Sequence, residues 1–156
     1  MERYRGMSMG NKDLNAHCFQ TQVVGLLAPG ISALLQLEEK KKEVMLYSGA
    51  IKHMRERHPY AFKKYFNRLP QIVESPDYIG LEGEETKHFE LIKCYKDIVL
   101  VALRLEGGII FVLSLYIIEE NMLKKRLESG KVTQVSHYIS LYKEKPFYKN
   151  NAKKHG

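Results

Sequence analysis

The stretch from Tyr47 to Pro59, YSGAIKHMRERHP, gathers two histidines and three cationic side chains into one short segment. Imidazole is the side chain whose ordinary pKa, roughly 6.5, lets it give or take a proton near neutral pH. Spacing decides whether the two can cooperate. Ser48 suits an N-cap for a helix from Gly49 to Arg57, and His53 and Arg57, four apart, share a face. In a continuous helix His53 and His58 would point about 140° apart. Pro59 biases His58 toward extended backbone, so the helix stops there and the two rings can converge. The bland alternative is a solvated basic helix with a histidine as its C-terminal cation.

Further along, the hairpin around Glu106-Gly107-Gly108 aligns a second set of polar residues. Read as a three-residue loop, it pairs Leu105 with Ile109 and places Leu103 opposite Phe111, Val101 opposite Leu113 and Val99 opposite Leu115. The odd-numbered face is then apolar and covers helices. The even-numbered face carries Arg104, Ser114 and Tyr116. His88 and Glu90 join it if the loop at Tyr95 to Asp97 has three residues, and turn away if the loop has two. Arg126, in the last turn of a helix from Glu119 to Glu128, would lie beyond the end of the Tyr116 strand. Its ordinary explanation is a cation complementing the helix dipole.

These groups need a scaffold, and the sequence suggests an α+β one. The chain has 156 residues and is 44% hydrophobic, enough for one core that buries about two-thirds of the unfolded surface. Residues 1-43 read as an N-terminal helical extension, with a helix around Ile31 to Lys41. Residues 44-132 read as the core, and 133-156 as a C-terminal helix with a basic, flexible tail. Val44 to Tyr47, His88 to Tyr95, Ile98 to Leu105 and Ile109 to Ile118 are strand candidates. Phe62, Tyr65, Phe66 and Leu69 form a helical aromatic stripe, Pro70 opens another short helix, and Asp77 to Gly83 reads as loop. The longest apolar run, Ile109 to Ile118, is too short for the ~20 residues of a membrane helix. Cys18 and Cys94 have neither zinc-ligand nor disulfide-framework spacing, and a cytoplasmic protein with reduced thiols is expected. Lys plus Arg exceed Asp plus Glu by 25 to 18, a formal net charge of +7, which favours a polyanionic partner.

The ordered blocks SGAIKHMRERHP, LPQIVESPDYIG, FELIKCYKDIVLVALRL, FVLSLYII and ENMLKKRLESGKV resemble the type 3 branch of the phage-barnase-EndoU-colicin E5/D-RelE-like nucleases, over about residues 44 to 132. The resemblance implies N-terminal helices packed on an antiparallel sheet of about four strands, and a metal-independent ribonuclease without cofactors. It implies a phage or mobile element, an RNA substrate such as tRNA or mRNA, and a possible antidote or immunity protein. Within the matching blocks it places an active-site histidine at His53, with His58, Lys52 and Arg57 beside it, polar positions at Ser114 and Tyr116, and a basic position at Arg126.

RNA cleavage without metal requires a base for the ribose 2′-OH, an acid for the leaving 5′ oxygen and cations for the phosphoryl charge. The sequence assigns proton transfer to His53 with His58 as partner or orienter, leaving open which is acid and which base. Tyr116 and Arg126 complete the catalytic set. Lys52, Arg57, Ser114 and Arg104 would hold phosphate, and Glu90 and His88 stand in reserve, Glu90 as a base. Other classes fit the same residues: a catalytically silent basic module binding nucleic acid, or a protein-interaction factor.

Overall fold

The computed structural model describes residues 14–17, 20–28, 30–31, 43–81 and 88–136. Their strands are β1 (Gln22–Leu26), β2 (Glu43–Leu46), β3 (Tyr78–Leu81), β4 (His88–Cys94), β5 (Ile98–Glu106), β6 (Ile109–Ile118) and β7 (Val132–Gln134). Their helices are α1 (Ser48–Arg57), α2 (Pro59–Tyr65), α3 (Leu69–Glu74) and α4 (Glu120–Ser129), with a 3-10 turn at Phe66–Arg68 between α2 and α3.

The class is α+β, but the sheet differs from the expected four antiparallel strands. Seven strands run in the order β1-β2-β6-β5-β4-β3-β7. The sheet is mixed, because β2 pairs parallel to β6 while the other neighbours are antiparallel. Gln22–Leu26, inside the segment expected to be helical, is a strand, and so is Tyr78–Leu81, expected to be loop. Val132–Gln134 closes the other edge against β3. The helix expected around Ile31 to Lys41 lies, beyond Ile31, outside the described residues, as do residues 137–156 of the expected C-terminal helix and tail.

Alternation gives each central strand two faces. Phe89, Leu91, Val99, Val101, Leu103, Ile110, Val112 and Leu115 are buried on one face with Ala50, Ile51 and Met54 of α1, Tyr65 of α2 and Ile72 and Val73 of α3. Among the described residues the opposite face is only partly covered. There α4 places Leu123 and Leu127 against Ile92, Leu100 and Ile118.

Two local features of the β5–β6 hairpin decide which residues face which way. The turn is the two-residue Gly107-Gly108, both with positive φ (62° and 78°), a conformation glycine adopts without the Cβ penalty. Glu106 therefore pairs with Ile109 and Leu103 with Val112, one position from the register expected of a three-residue loop. A β-bulge then leaves Leu113 unpaired, so that Ala102 faces Ser114, Val101 faces Leu115 and Leu100 faces Tyr116. Without the extra residue Ser114 would point into the core. The bulge turns it, and Tyr116 with it, onto the open face.

Candidate active site

His58 marks a break between two helices. Its backbone, at φ −135° and ψ 61°, is non-helical, its N–H donates to Met54 O at 2.9 Å, and its carbonyl accepts from Phe62 N–H at 2.8 Å. Pro59 occupies the first position of α2, where its missing N–H costs nothing. Ser48 is the first residue of α1 rather than its cap, and Tyr47 caps it without a side-chain bond.

This break brings the two imidazoles together. The ring centroids of His53 and His58 lie 5.9 Å apart, edge to face, and His58 in turn stacks on Tyr116 at 5.1 Å with 28° between planes. β2 pairs with β6 only at Ile110 and Phe111, so among the described residues no strand pairs with the later half of β6 on that side, and α1 and α2 both contact β6. His58 can thus reach Tyr116 on the open face. Burial, followed by the charges of His53 and Arg57, holds the His58 imidazole below its ordinary 6.5.

The three-residue turn Tyr95 to Asp97 pairs Cys94 with Ile98, and this register sets His88 opposite Arg104 and Glu90 opposite Ala102. Glu90, Ala102 and Ser114 accordingly form one row across β4, β5 and β6 on the open face. From α4, Arg126 Nη1 donates to Glu90 Oε1 at 2.7 Å, and both side chains are about three-quarters buried. Ser114 is 8% exposed, and its hydroxyl has no hydrogen-bond partner among the described residues. A buried hydroxyl left so is costly, and such exceptions call for an explanation.

Other expected residues stand apart. Lys52 is on the opposite flank of α1 from His53, lining an open cleft of about 380 Å³ with Ala16, His17, Ser48 and Arg55. Arg57 remains on the His53 side, near enough to act on His58. Arg104 Nε lies 3.3 Å from the Glu106 carboxylate at the hairpin end of the face, and His88 opposite it is exposed.

Gly80, opposite Glu90 in the β3–β4 pair, is a site residue that motif spacing did not reveal. A Cβ there would meet Lys131 O and Val132 Cγ2 at 3.2 Å and Glu90 Oε1 at 3.4 Å. A glycine inside a strand signals such close approach, but Pro76 and Asp77 just before it made the segment resemble a loop.

Among protein families, the phage-Barnase-EndoU-ColicinE5/D-RelE like nuclease3 family (PBECR3) matches residues 21–125. The match starts earlier than the sequence blocks suggested, taking in β1, and stops one residue short of Arg126. No curated protein and no solved structure matches.

Proposed function

The chain belongs to this phage-barnase-EndoU-colicin-RelE-like nuclease family, and on that premise we propose that it is an endoribonuclease in which Glu90 and His58 move the protons. The ribose 2′-OH attacks the adjacent phosphorus, the bond to the 5′ oxygen breaks, and the products are a 2′,3′-cyclic phosphate and a free 5′-OH. Glu90 takes the 2′-OH proton and His58 supplies one to the 5′ oxygen. No metal ion enters these steps.

The choice of pair follows from in-line geometry. Attacking and leaving oxygens stand on opposite sides of phosphorus, so the base and the acid must approach it from two sides, each within hydrogen-bond reach. The rings of His53 and His58 are 5.9 Å apart in edge contact, which leaves no room for a phosphoryl group between them. Glu90 and Ser114 share one row of the open face, two interstrand steps or about 9.5 Å apart at the backbone, and His58 rests on Tyr116, two residues beyond Ser114, so carboxylate and imidazole flank Ser114 from two directions. A phosphodiester over Ser114 would lie between the carboxylate and the imidazole.

The remaining side chains complete the site. Arg126, fixed by Glu90, is placed to take the charge on the non-bridging oxygens, and the Ser114 hydroxyl to donate to one of them. Tyr116 orients the His58 ring, and His53 stands behind it. The single observation carrying this reading is the buried, unpartnered Ser114 hydroxyl between Glu90–Arg126 and His58–Tyr116.

The direct experiment is incubation with an RNA and with DNA of the same sequence, EDTA present, followed by end-group analysis. Cleavage of RNA alone, leaving 2′,3′-cyclic ends, is the expected result. Cleavage of DNA would remove the 2′-OH mechanism. A second reading, binding without turnover, draws on the Arg126–Glu90 ion pair, which engages the cation before any phosphate arrives. Salt-sensitive RNA binding with no cleavage would favour it.

A further inference from the structure

The outer flank of α2 and the β4–β5 turn carry aromatic and cationic side chains that the proposed chemistry does not use. Tyr60 is 57% exposed, the most exposed large hydrophobic side chain among the described residues. Its hydroxyl and that of the buried Tyr65 both donate to Asp97 Oδ2, at 3.1 and 2.8 Å, and the Asp97 N–H donates to the Tyr65 oxygen at 3.2 Å. The Lys64 ammonium donates to Tyr60 Oη at 3.0 Å and lies 5.4 Å from the centre of that ring. Tyr95 stacks on Tyr65 at 5.4 Å, and the Arg68 guanidinium lies 5.8 Å from the Tyr95 ring centre. Lys63 and Lys96 are exposed on the same elements.

We propose that this surface is a track for single-stranded RNA flanking the cleaved bond, with one base stacked on Tyr60 and neighbouring phosphates on Lys63, Lys64, Arg68 and Lys96. The inference rests on the RNA-cleaving role assigned above. Interleaved aromatics and cations are the pattern that binds single strands, because every base has a face to stack while a duplex hides its own. Lys63, Lys64, Arg68 and Lys96 share these elements with the carboxylate of Asp97, and Asp77, which acts on Tyr95, is paired with Lys93, so the surface is positive overall. Asp97 fixes the Tyr60 and Tyr65 hydroxyls before any ligand arrives, which reduces the ordering a bound base would require. Position completes the case. Tyr60 follows His58 by two residues, at most about 7 Å of backbone, so a strand leaving the site meets its ring next.

The test uses the full chain and a fluorescent 2′-O-methyl oligouridylate, which cannot be cleaved by 2′-OH attack, with binding read by anisotropy across a salt series. Tyr60→Ala should weaken binding about tenfold. Tyr60→Phe, which keeps the ring and loses only the ordering bond to Asp97, should weaken it by much less than Tyr60→Ala does. Lys63→Gln with Arg68→Gln should lower the slope of log affinity against log salt by about 1.4. Lys124→Gln with Lys125→Gln, a charge-matched change on α4, should leave the slope unaltered.

Equal binding by Tyr60→Ala, equal weakening by Tyr60→Phe, an unchanged slope in the Lys63 and Arg68 variant, or no binding at all would each overturn the track. Failure of the nuclease reading looks different. Tyr60-dependent binding by a chain that never cuts unmodified RNA keeps the track and discards the catalysis, whereas cleavage with binding indifferent to all these changes does the reverse.

Discussion

The His58 imidazole lies on the Tyr116 ring at 5.1 Å, joining a helix break in the first half of the chain to a strand nearly sixty residues later. That contact places a partly desolvated histidine beside the row formed by Glu90, Ala102 and Ser114. The same desolvation, with His53 and Arg57, lowers its pKa and ties activity to pH.

The sign follows from the role. As the acid, His58 must be protonated, and its pKa in the free protein is below 6.5. A plot of kcat/KM against pH should therefore fall as pH rises through that value, with an optimum on the acid side of neutrality. Activity that instead rises through the same region would make His58 the base.

Removing His53 should tune rather than abolish. Its charge is the second cause lowering His58, so His53→Ala should move the basic limb of the profile to higher pH while retaining cleavage. A loss of 10² to 10⁴ with an unmoved limb would return the proton-transfer role to His53.

Ser114→Ala separates stability from function. The hydroxyl it removes is buried without a partner, so the urea midpoint should hold or rise, within about 1 kcal/mol of stability. The rate should fall about 10²-fold if that hydroxyl donates to the phosphoryl oxygen. Parallel loss of both would assign Ser114 a packing role only.

Gly80→Ala should damage both properties together. Its Cβ would press on the Lys131 carbonyl and Val132 at 3.2 Å and stand 3.4 Å from Glu90 Oε1. A cost of about 1–3 kcal/mol in chemical unfolding, with reduced cleavage, is the expected outcome. Normal stability and activity would show that the β3–β7 edge yields freely at this point.

Much of this arrangement was legible from local chemistry. Pro59 reported the break at His58, and the strands from His88 to Ile118 followed from their apolar alternation. The hairpin shows how a partly wrong reading can still place side chains correctly. The turn is one residue shorter than expected, which reverses the faces near it: Phe111 stands opposite Arg104 instead of Leu103. The Leu113 bulge reverses them again, so Ser114 and Tyr116 reach the expected face by two offsets that cancel. The Gly107-Gly108 pair is itself a signal for the two-residue turn, whereas the bulge has none in a run as uniformly apolar as IIFVLSLYII.

What sequence could not supply depends on docking. Arg126 reaches Glu90 only because Leu123 and Leu127 seat α4 on Ile92, Leu100 and Ile118, a long-range choice invisible in helical spacing. Lys52 was grouped with His53 as a neighbour in sequence, yet one residue is about 100° of helix, and it lines a different cleft. The strands β1, β3 and β7 are five, four and three residues long, too short to carry a clear periodic signal, and only their place in the sheet makes them strands.

The most direct measurement of the central claim is single-turnover cleavage of a DNA oligonucleotide carrying one ribonucleotide, by the unaltered chain, Glu90→Gln and His58→Gln. The account predicts one cut, immediately 3′ of the ribonucleotide, ending in a 2′,3′-cyclic phosphate and slowed about 10² to 10⁴-fold by either substitution. Cutting away from the ribonucleotide, or undiminished rates in both variants, would contradict it.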